Sequence, residues 1–300
     1  MTEPTAAGDV LVREVGPRDG LQNEDPIPTS DKIRLIDALS ETGLRAIEAV
    51  SFVSPKAIPQ MADADEVWRG ITRRPGVVYS ALVPNARGAE RAAAAGVPEV
   101  EVVVSASETH NQKNVNRSVD ESLAGVSDLV AAAKGTAVVG IVSTAFGCPY
   151  EGDVPVRRAV EVGERMLDAG CGSVGFGDTT GMATPRRVRE LVGAWPGPAP
   201  LLHFHNTRGT GLANVLVALD LGVTRFDASV GGLGGCPYAP GATGNICTED
   251  LVHMLDDMGI ATGVDLDRLI DVALMAEKMV GHNLPGQVMR AGPRTNTVPA

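Results

Sequence analysis

Aromatic residues are scarce in this chain, making up 3% of its 300 residues. So few rings leave few platforms on which nucleobases could stack. Positive charge is also in short supply, with 26 basic against 37 acidic residues and a formal net charge of −11. Because a phosphate backbone is bound by an excess of basic surface, nucleic acid is not an expected partner.

Clustered cysteines and long apolar runs are missing as well. The four cysteines, Cys148, Cys171, Cys236 and Cys247, show no CxxC pair, so neither a disulfide framework nor a structural zinc site is expected. The N-terminus lacks a basic segment followed by an apolar one, and no apolar run approaches membrane-spanning length. We therefore expect an unprocessed cytoplasmic protein with reduced thiols and no membrane partner.

A G-x-G-x-x-G fingerprint does not follow the first predicted strand, which argues against an open, doubly wound sheet. Instead, short β-rich runs alternate with helical patterns about eight times. The predicted strands span residues 10–15, 46–50, 77–83, 100–105, 137–144, 173–176, 201–205 and 225–230. This number of units predicts a closed (β/α)8 TIM barrel of the α/β class.

We expect one catalytic domain over residues 1–300, with the barrel at about 9–282 and a tail at about 283–300. Helical patterns at 248–258 and 266–280 predict extra C-terminal helices. Residues 231–245 form a glycine-rich loop that we expect over the mouth of the barrel.

Local signals mark several helix ends. Thr184 before Pro185 is typical of a helix start, because the hydroxyl can cap and proline suits the first helical position. Gly170 and Gly222 stand where the chain leaves a helix for the next strand, so we expect a positive φ at both.

Two histidines separated by one residue, His203 and His205, close an apolar run that reads as a strand. Their rings would then face the same side. The first predicted strand runs directly into Arg18 and Asp19, and Asn245 ends the glycine-rich loop. Because the carboxyl ends of barrel strands form one mouth, we expect these residues to meet there.

The carboxylate of Asp19, the imidazoles of His203 and His205 and the amide oxygen of Asn245 make a mixed, rather hard ligand set. It suits Mg²⁺ or Mn²⁺, and Zn²⁺ or Co²⁺ could also occupy it. Each residue has a plainer explanation: hydrogen-bonded core histidines, an Asx turn at Asp19, and a helix cap at Asn245. Their shared position favours a metal site.

Four further side chains are candidate catalytic groups. Arg18 can stabilise a developing oxyanion such as an enolate, unless it only forms a surface salt bridge. Cys236 can be delivered to a substrate when the glycine-rich loop closes, unless it is only a small loop residue. Glu48 and Asp178 end two predicted strands, so they face the mouth as acid, base or histidine-orienting groups.

Four longer segments match a known family over nearly the whole chain. They are residues 15–24 (VGPRDGLQNE), 51–56 (SFVSPK), 147–152 (GCPYEG) and 231–238 (GGLGGCPY). Matches of this length are more specific than a lone short motif. On these segments the chain resembles the 3-hydroxy-3-methylglutaryl-CoA lyases, within the metal-dependent Claisen-type barrels.

The resemblance implies a role for each candidate residue. The four candidate ligands would hold the cation, Arg18 would stabilise the enolate, and Cys236 would be the loop acid. Glu48 and Asp178 become residues of the catalytic site. Three more residues would lie around the metal or substrate: Gln22, Ser51 and Asn283. The implied partner is an acyl-CoA thioester, and we expect a homo-oligomer, either a dimer or a tetramer.

Four positions depart from the family pattern. Asn206 and Arg208 stand where well-known lyases have aspartate and tyrosine, Gly175 replaces a serine, and Pro285 replaces a lysine. We count Arg208 among the candidate binding residues, because it could reach a second carboxylate, a longer acyl group or the CoA phosphates. Alternatively, it pairs with an acid on its own helix.

Three functions compete at this point. The first is a C–C lyase acting on a branched 3-hydroxyacyl-CoA, with 3-hydroxy-3-methylglutaryl-CoA as the first candidate and a citramalyl-CoA type as the second. The second is a condensing acyltransferase of the isopropylmalate synthase type, although the large regulatory domain of that branch is not seen. The third is a binding barrel that has lost turnover.

Overall fold

A closed barrel of eight parallel strands forms the centre of the computed structural model, which describes residues 10–235 and 243–296. Neighbours in the sheet are neighbours in the chain, and the first strand pairs with the eighth to close the barrel. The predicted (β/α)8 barrel is confirmed. The strands are β1 (Leu11–Glu14), β2 (Ala46–Ser51), β3 (Val78–Leu82), β4 (Glu99–Ser105), β5 (Ala137–Ser143), β6 (Ser173–Gly177), β7 (Leu201–His203) and β8 (Arg225–Ala228).

Helices follow every strand and surround the barrel. Those described are α1 (Thr29–Ser40), α2 (Ala64–Gly70), α3 (Ala86–Ala94), α4 (Glu108–Val115), α5 (Val119–Ala132), α6 (Val156–Asp168), α7 (Pro185–Ala194), α8 (Gly211–Asp220), α9 (Thr248–Asp257), α10 (Leu266–Val280) and α11 (Val288–Ala291). The last three come after β8, so the expected extra C-terminal helices are present. Over the described ranges, no helix combines the length and hydrophobicity needed to cross a lipid bilayer.

The local signals explain where the elements begin and end. Parallel strands covered on both faces are rich in buried β-branched residues, and all six residues of β2 are buried. Thr184 caps α7 by accepting the N–H of Arg187 at 3.4 Å, as its sequence predicts. Gly170 and Gly222 have φ values of 103° and 83°, so the chain turns out of α6 and α8 in a conformation that favours glycine.

Several expectations differ from the structure. Glu48, which was expected to end a strand, is the third residue of β2. Helix α4 has no predicted counterpart, because its residues are mostly polar and show no apolar spacing. The seventh strand ends at His203, two residues earlier than predicted, and His205 forms an isolated bridge with Asn245. The N–H of Asn206 then donates to the carbonyl oxygen of Gly244 at 2.6 Å. These contacts draw the chain out of the sheet toward the end of the glycine-rich loop.

Candidate active site

A tight turn directly after β1 presents Arg18 and Asp19 at the barrel mouth. Gly16–Gly20 form one π-helical turn, in which the carbonyl oxygen of Val15 accepts the N–H of Gly20 at 3.2 Å. Such single turns are frequent at functional sites. A Cβ atom at Gly20 would lie 2.7 Å from the Cβ of Leu233. Glycine therefore lets this turn pack against the segment that follows β8.

The four candidate ligands converge at this mouth. One possible ligand atom each from Asp19, His203 and His205 lies within 4.8 Å of the other two. The two imidazole centroids are 5.2 Å apart. The amide Nδ2 of Asn245 donates to Oδ2 of Asp19 at 2.8 Å. The side chains grouped by sequence reasoning thus share one site.

Unpartnered polar atoms test whether this site fits a cation. Oδ1 of Asn245 and Nδ1 of His205 are buried and have no hydrogen-bond partner among the described residues. A buried acceptor without a partner costs free energy, so an unobserved partner is the usual explanation. A carboxylate, imidazoles and an amide oxygen are ligands that divalent cations accept. The residues therefore fit a divalent cation.

The charge states of two candidate ligands also suit a cation. Burial raises the pKa of Asp19, but the positive charge of Arg18 and the histidines outweigh it and lower the pKa to about 2. Burial, together with the neighbouring His203, lowers the pKa of His205 to about 3. At neutral pH Asp19 is therefore a carboxylate and His205 is neutral, which are the forms that ligate metals.

Arg18 is held between two carboxylates. Its Nη1 lies 2.8 Å from Oδ1 of Asp19, and its Nη2 lies 2.6 Å from Oε2 of Glu48. Burial raises the pKa of Glu48 to about 8, although the charge of Arg18 opposes this shift. The guanidinium is therefore oriented beside the candidate ligands with little freedom to turn away.

Asp178 lies directly after β6, next to the histidine strand. Its N–H donates to the carbonyl oxygen of His203 at 2.8 Å. Its Oδ1 accepts the N–H groups of Met182 at 2.7 Å and Ala183 at 3.0 Å. Burial raises the pKa of Asp178 to about 6. Its other oxygen, Oδ2, is buried and has no hydrogen-bond partner among the described residues.

The three residues expected around the metal or substrate occupy different surroundings. Nε2 of Gln22 donates to Oδ1 of Asp19 at 2.9 Å, which places it at the cluster. The buried hydroxyl of Ser51 donates to the carbonyl oxygen of Leu82 at 3.3 Å. Asn283 is exposed in the segment that follows α10. Among these contacts, the hydrogen bond of Gln22 reaches a candidate metal ligand, Asp19.

The glycine-rich loop is described at its two ends. The carbonyl oxygen of Gly234 accepts the N–H of Asn245 at 3.4 Å, so the ends approach each other beside the cluster. Cys236 lies outside the described residues. Its role as a loop acid stays a prediction.

An ion network below the cluster was missed by sequence reasoning. Arg13 contacts both oxygens of Asp227, with Nε to Oδ1 at 2.7 Å and Nη2 to Oδ2 at 2.8 Å. Nδ1 of His203 lies 3.1 Å from Oδ2 of Asp227. Arg13 also forms an ion pair with Glu101 through Nη1. The available signal was the presence of charged residues within three short strands, because buried charges need partners.

A second group of buried acids lies between β1 and the C-terminal helices. Oε1 of Glu14 accepts the N–H groups of Gly16 at 2.7 Å and Val230 at 2.9 Å, and Oε2 accepts the hydroxyl of Thr248 at 2.6 Å. Burial raises the pKa of Glu14 to about 7. This acid thereby connects the turn after β1 with the segment after β8.

Two neighbouring acids anchor the segments around them. Oε2 of Glu249 accepts the N–H of Gly231 at 3.0 Å, at the start of the glycine-rich loop. Burial raises the pKa of Glu249 to about 8. Oδ1 of Asp250 accepts the N–H of Val288 at 2.7 Å, at the first residue of α11. Cys247, Glu249 and Asp250 also offer ligand atoms within 4.8 Å of one another.

Comparison with known proteins identifies the family. Residues 10–275 match the family model described as HMGL-like. The chain is 48% identical over 292 residues to the mitochondrial hydroxymethylglutaryl-CoA lyase of Gallus gallus, covering 95% of this chain and 98% of that protein. This chain belongs to the hydroxymethylglutaryl-CoA lyase family. The hydroxymethylglutaryl-CoA lyase YngG of Bacillus subtilis is likewise 48% identical, with 93% and 95% coverage.

A solved structure of the same family agrees with the barrel. The HMG-CoA lyase of Acinetobacter baumannii, in complex with coenzyme A and 3-methylmalate, superimposes with a TM-score of 0.92 at 47% identity. The superposition covers 97% of each chain. The Acinetobacter lyase and this chain therefore share the same barrel architecture.

Two departures from the hydroxymethylglutaryl-CoA lyase pattern have visible contacts. Oδ1 of Asn206 accepts the N–H of Gly211 at 3.1 Å, so the amide caps the start of α8. Nη1 of Arg208 donates to the carbonyl oxygens of Thr180 at 2.8 Å and Gly181 at 2.9 Å. Arg208 thus ties the segment after β7 to the segment after β6. These contacts leave its predicted role in substrate binding untested.

Proposed function

We propose that this protein is a divalent-metal-dependent C–C lyase that cleaves 3-hydroxy-3-methylglutaryl-CoA into acetyl-CoA and acetoacetate. The observation that carries the proposal is the 48% identity to a hydroxymethylglutaryl-CoA lyase over 95% of the chain. The convergence of Asp19, His203 and His205 at the barrel mouth supports it. The coenzyme A bound by the Acinetobacter relative supports an acyl-CoA thioester as the substrate.

The proposed ligands are Asp19, His203, His205 and Asn245, with Mg²⁺ or Mn²⁺ as the expected metal. When bound, such a cation acts as a Lewis acid that polarises oxygen atoms and lowers the pKa of a hydroxyl group. Arg18 is positioned beside Asp19 to donate hydrogen bonds to the thioester oxygen as negative charge develops on it. A fixed guanidinium at that point stabilises the enolate more than the ground state.

Proton movement in the cleavage falls to two other side chains. We infer that Asp178 accepts the proton of the tertiary hydroxyl, because its Oδ2 is buried and has no partner among the described residues. The bond between C2 and C3 then breaks, its electron pair moves into the thioester enolate, and acetoacetate is released. Cys236 is the proposed acid that returns a proton to C2 to give acetyl-CoA. Glu48 holds Arg18 in place.

The direct test is an assay of the purified protein with 3-hydroxy-3-methylglutaryl-CoA and Mg²⁺ or Mn²⁺. We expect equimolar acetyl-CoA and acetoacetate, and loss of both products with a chelator. Citramalyl-CoA should be cleaved at a lower kcat/KM. Preferential cleavage of citramalyl-CoA, or release of free CoA from acetyl-CoA and a 2-keto acid, would replace the proposal with one of the competing functions.

Substitutions separate the roles of the proposed residues. R18M should lower kcat by about 100- to 1,000-fold, because one fixed donor to the oxyanion is lost. D178N should lower kcat by about 100- to 10,000-fold through loss of the base. R186M, at an exposed arginine on α7, is the matched control and should keep wild-type kcat. Wild-type activity in D178N would show that another group takes the proton.

The finer assignments of compartment and assembly are also proposals. We propose a cytoplasmic homo-oligomer, a dimer or a tetramer. Cell fractionation and light scattering of the purified protein test these two statements. A monomeric mass in solution would contradict the second.

A further inference from the structure

The two histidines of the cluster are supported differently. Nδ1 of His203 lies 3.1 Å from Oδ2 of Asp227, whereas Nδ1 of His205 is buried without a partner among the described residues. An imidazole ring binds a metal through one nitrogen, and the hydrogen bond made by the other nitrogen decides which one is free. Among the described residues, Nδ1 of His203 has such a hydrogen-bond partner and Nδ1 of His205 does not.

Asp227 cannot readily turn away from His203. Both of its oxygens are held by Arg13, at 2.7 Å and 2.8 Å, in a two-point contact that matches the planar guanidinium. Arg13 and Asp227 are each 4% exposed, so no solvent competes for these contacts. The carboxylate is therefore fixed in position and direction on β8, one strand away from His203 on β7.

A carboxylate accepts hydrogen bonds and donates none. With Oδ2 of Asp227 opposite Nδ1, the neutral His203 ring is stabilised with its proton on Nδ1. Nε2 then keeps its lone pair. This is the nitrogen left to join Asp19 and His205 in the cluster.

We propose that Asp227, clamped by Arg13, is the positioning residue that fixes the Nδ1–H tautomer of His203 and so prepares Nε2 as a metal ligand. The inference deepens the proposed function, on whose metal site it rests. Arg13 and Asp227 touch neither substrate nor metal in this assignment. They act through His203.

The test is made on the full chain without metal, using ¹⁵N-labelled histidine and long-range ¹H–¹⁵N spectra at a pH where the ring is neutral. We expect His203 of the wild-type protein as the Nδ1–H tautomer. D227N should populate the Nε2–H form, because an amide can accept or donate at this position. An Nε2–H tautomer of His203 in the wild-type protein would overturn the proposal without any variant.

Metal affinity supplies the second readout. Mn²⁺ binding measured by calorimetry should weaken by about 10- to 100-fold in D227N. E101Q is the matched control, because Glu101 contacts the same Arg13 but belongs to β4. The carboxylate of Glu101 accepts a hydrogen bond from the hydroxyl of Ser80 at 2.9 Å. E101Q should keep the Nδ1–H tautomer and Mn²⁺ affinity within about threefold of wild type, well short of the loss expected for D227N.

The outcomes distinguish this inference from the proposed function. Equal losses of affinity in D227N and E101Q would show a general requirement for the network and would overturn the positioning role. Unchanged affinity in D227N would do the same. If the wild-type protein binds no Mn²⁺ or Mg²⁺, the proposed metal site fails, while the tautomer of His203 still decides whether Asp227 orients the ring.

Discussion

Buried carboxylates gather in two regions of this protein, and the two regions hold them differently. Along the barrel axis, four carboxylates contact the guanidinium groups of Arg13 and Arg18. Behind β1, the acids Glu14, Glu249 and Asp250 accept hydrogen bonds from backbone N–H groups, and Glu14 also from a hydroxyl. One region uses formal charge, and the other uses peptide dipoles.

The difference is visible in the charge states. Burial disfavours a carboxylate in both regions, but the charge of Arg18 and the histidines reverses this effect for Asp19 and lowers its pKa to about 2. Backbone N–H groups offset burial less completely, and the pKa of Glu249 is raised to about 8. The axis therefore keeps Asp19 ionised for a cation, although burial still raises the pKa of Glu48 to about 8 there. The acids behind β1 serve as anchors for chain segments.

The largest expected loss of stability comes from removing Arg13, one of the two guanidinium groups along the barrel axis. R13M would leave Asp227 and Glu101 buried without their partner, and breaking a buried ion pair in this way costs about 3–5 kcal/mol. The free energy of unfolding in denaturant measures it. R186M removes an exposed arginine whose pair with Glu190 should contribute about 0.5 kcal/mol or less. If R13M lost less stability than R186M, Asp227 and Glu101 would not depend on the charge of Arg13.

A bound metal ion should stabilise the native protein through the cluster of Asp19, His203 and His205. Mn²⁺ at about 100 times its dissociation constant is expected to add about 2.7 kcal/mol to the stability of the native protein. Thermal unfolding with and without metal measures the increase. H205A should lose this response, and E14Q should keep it, because Glu14 lies in the second region. A response that survives in H205A would place the cation elsewhere, for instance at Cys247, Glu249 and Asp250.

The anchors behind β1 should depend on hydrogen bonding more than on charge. E14A removes the acceptor for two N–H groups and one hydroxyl and should cost about 2 kcal/mol. E14Q can accept both N–H groups through its oxygen and donate to Thr248 through its nitrogen, so it should retain most of the stability. Chemical denaturation of both variants gives the comparison. Equal losses in the two would show that the negative charge of Glu14 matters.

The last expected effect is a change in the pH dependence of stability. The pKa of Glu249 in the folded protein is raised from 4.5 to about 8, mainly by burial, so the native state binds more protons than the unfolded state between these values. Its contribution to stability is therefore lost as pH rises through this window, with a slope of up to about 1.4 kcal/mol per pH unit.

E249Q removes this titration, so its stability should fall less steeply with pH than that of the wild-type protein. Unfolding free energies at several pH values from about 5 to 8 measure the slopes. E164Q, at an exposed glutamate on α6, is the control and should follow the wild-type slope. Identical slopes in all three proteins would mean that Glu249 is ionised throughout.

The contrast between α4 and its neighbours shows how far sequence patterns reach. Helix α5 begins with a capping box at Ser118 and Glu121 and carries a buried apolar stripe, both of which are visible as sequence patterns. Helix α4 is polar along its length and was missed, although Ser107 caps it by accepting the N–H of His110 at 3.1 Å. A pattern of apolar spacing detects helices that bury one face and overlooks those that do not.

The candidate site divides along a similar line. Asp19, His203, His205 and Asn245 each lie at the end of a strand, shortly after one, or at the end of a loop, and the rule that strand ends meet at one mouth brought them together. Asp227 lies inside a strand, and no spacing in the sequence connects it to Arg13 or His203. Their contact depends on β1, β7 and β8 being adjacent in the closed sheet.

By itself, the sequence determined the alternation of strands and helices, the closed barrel, the family and the ligands expected at the mouth, because these follow from local periodicity and from residues at strand ends. Only the tertiary structure decided which carboxylates face guanidinium groups and which face backbone N–H groups. The physical reason is that a buried acid's charge state depends on its burial and its neighbours in space. Closure of the barrel brings those neighbours together, and the spacing of residues along the chain does not show which ones meet.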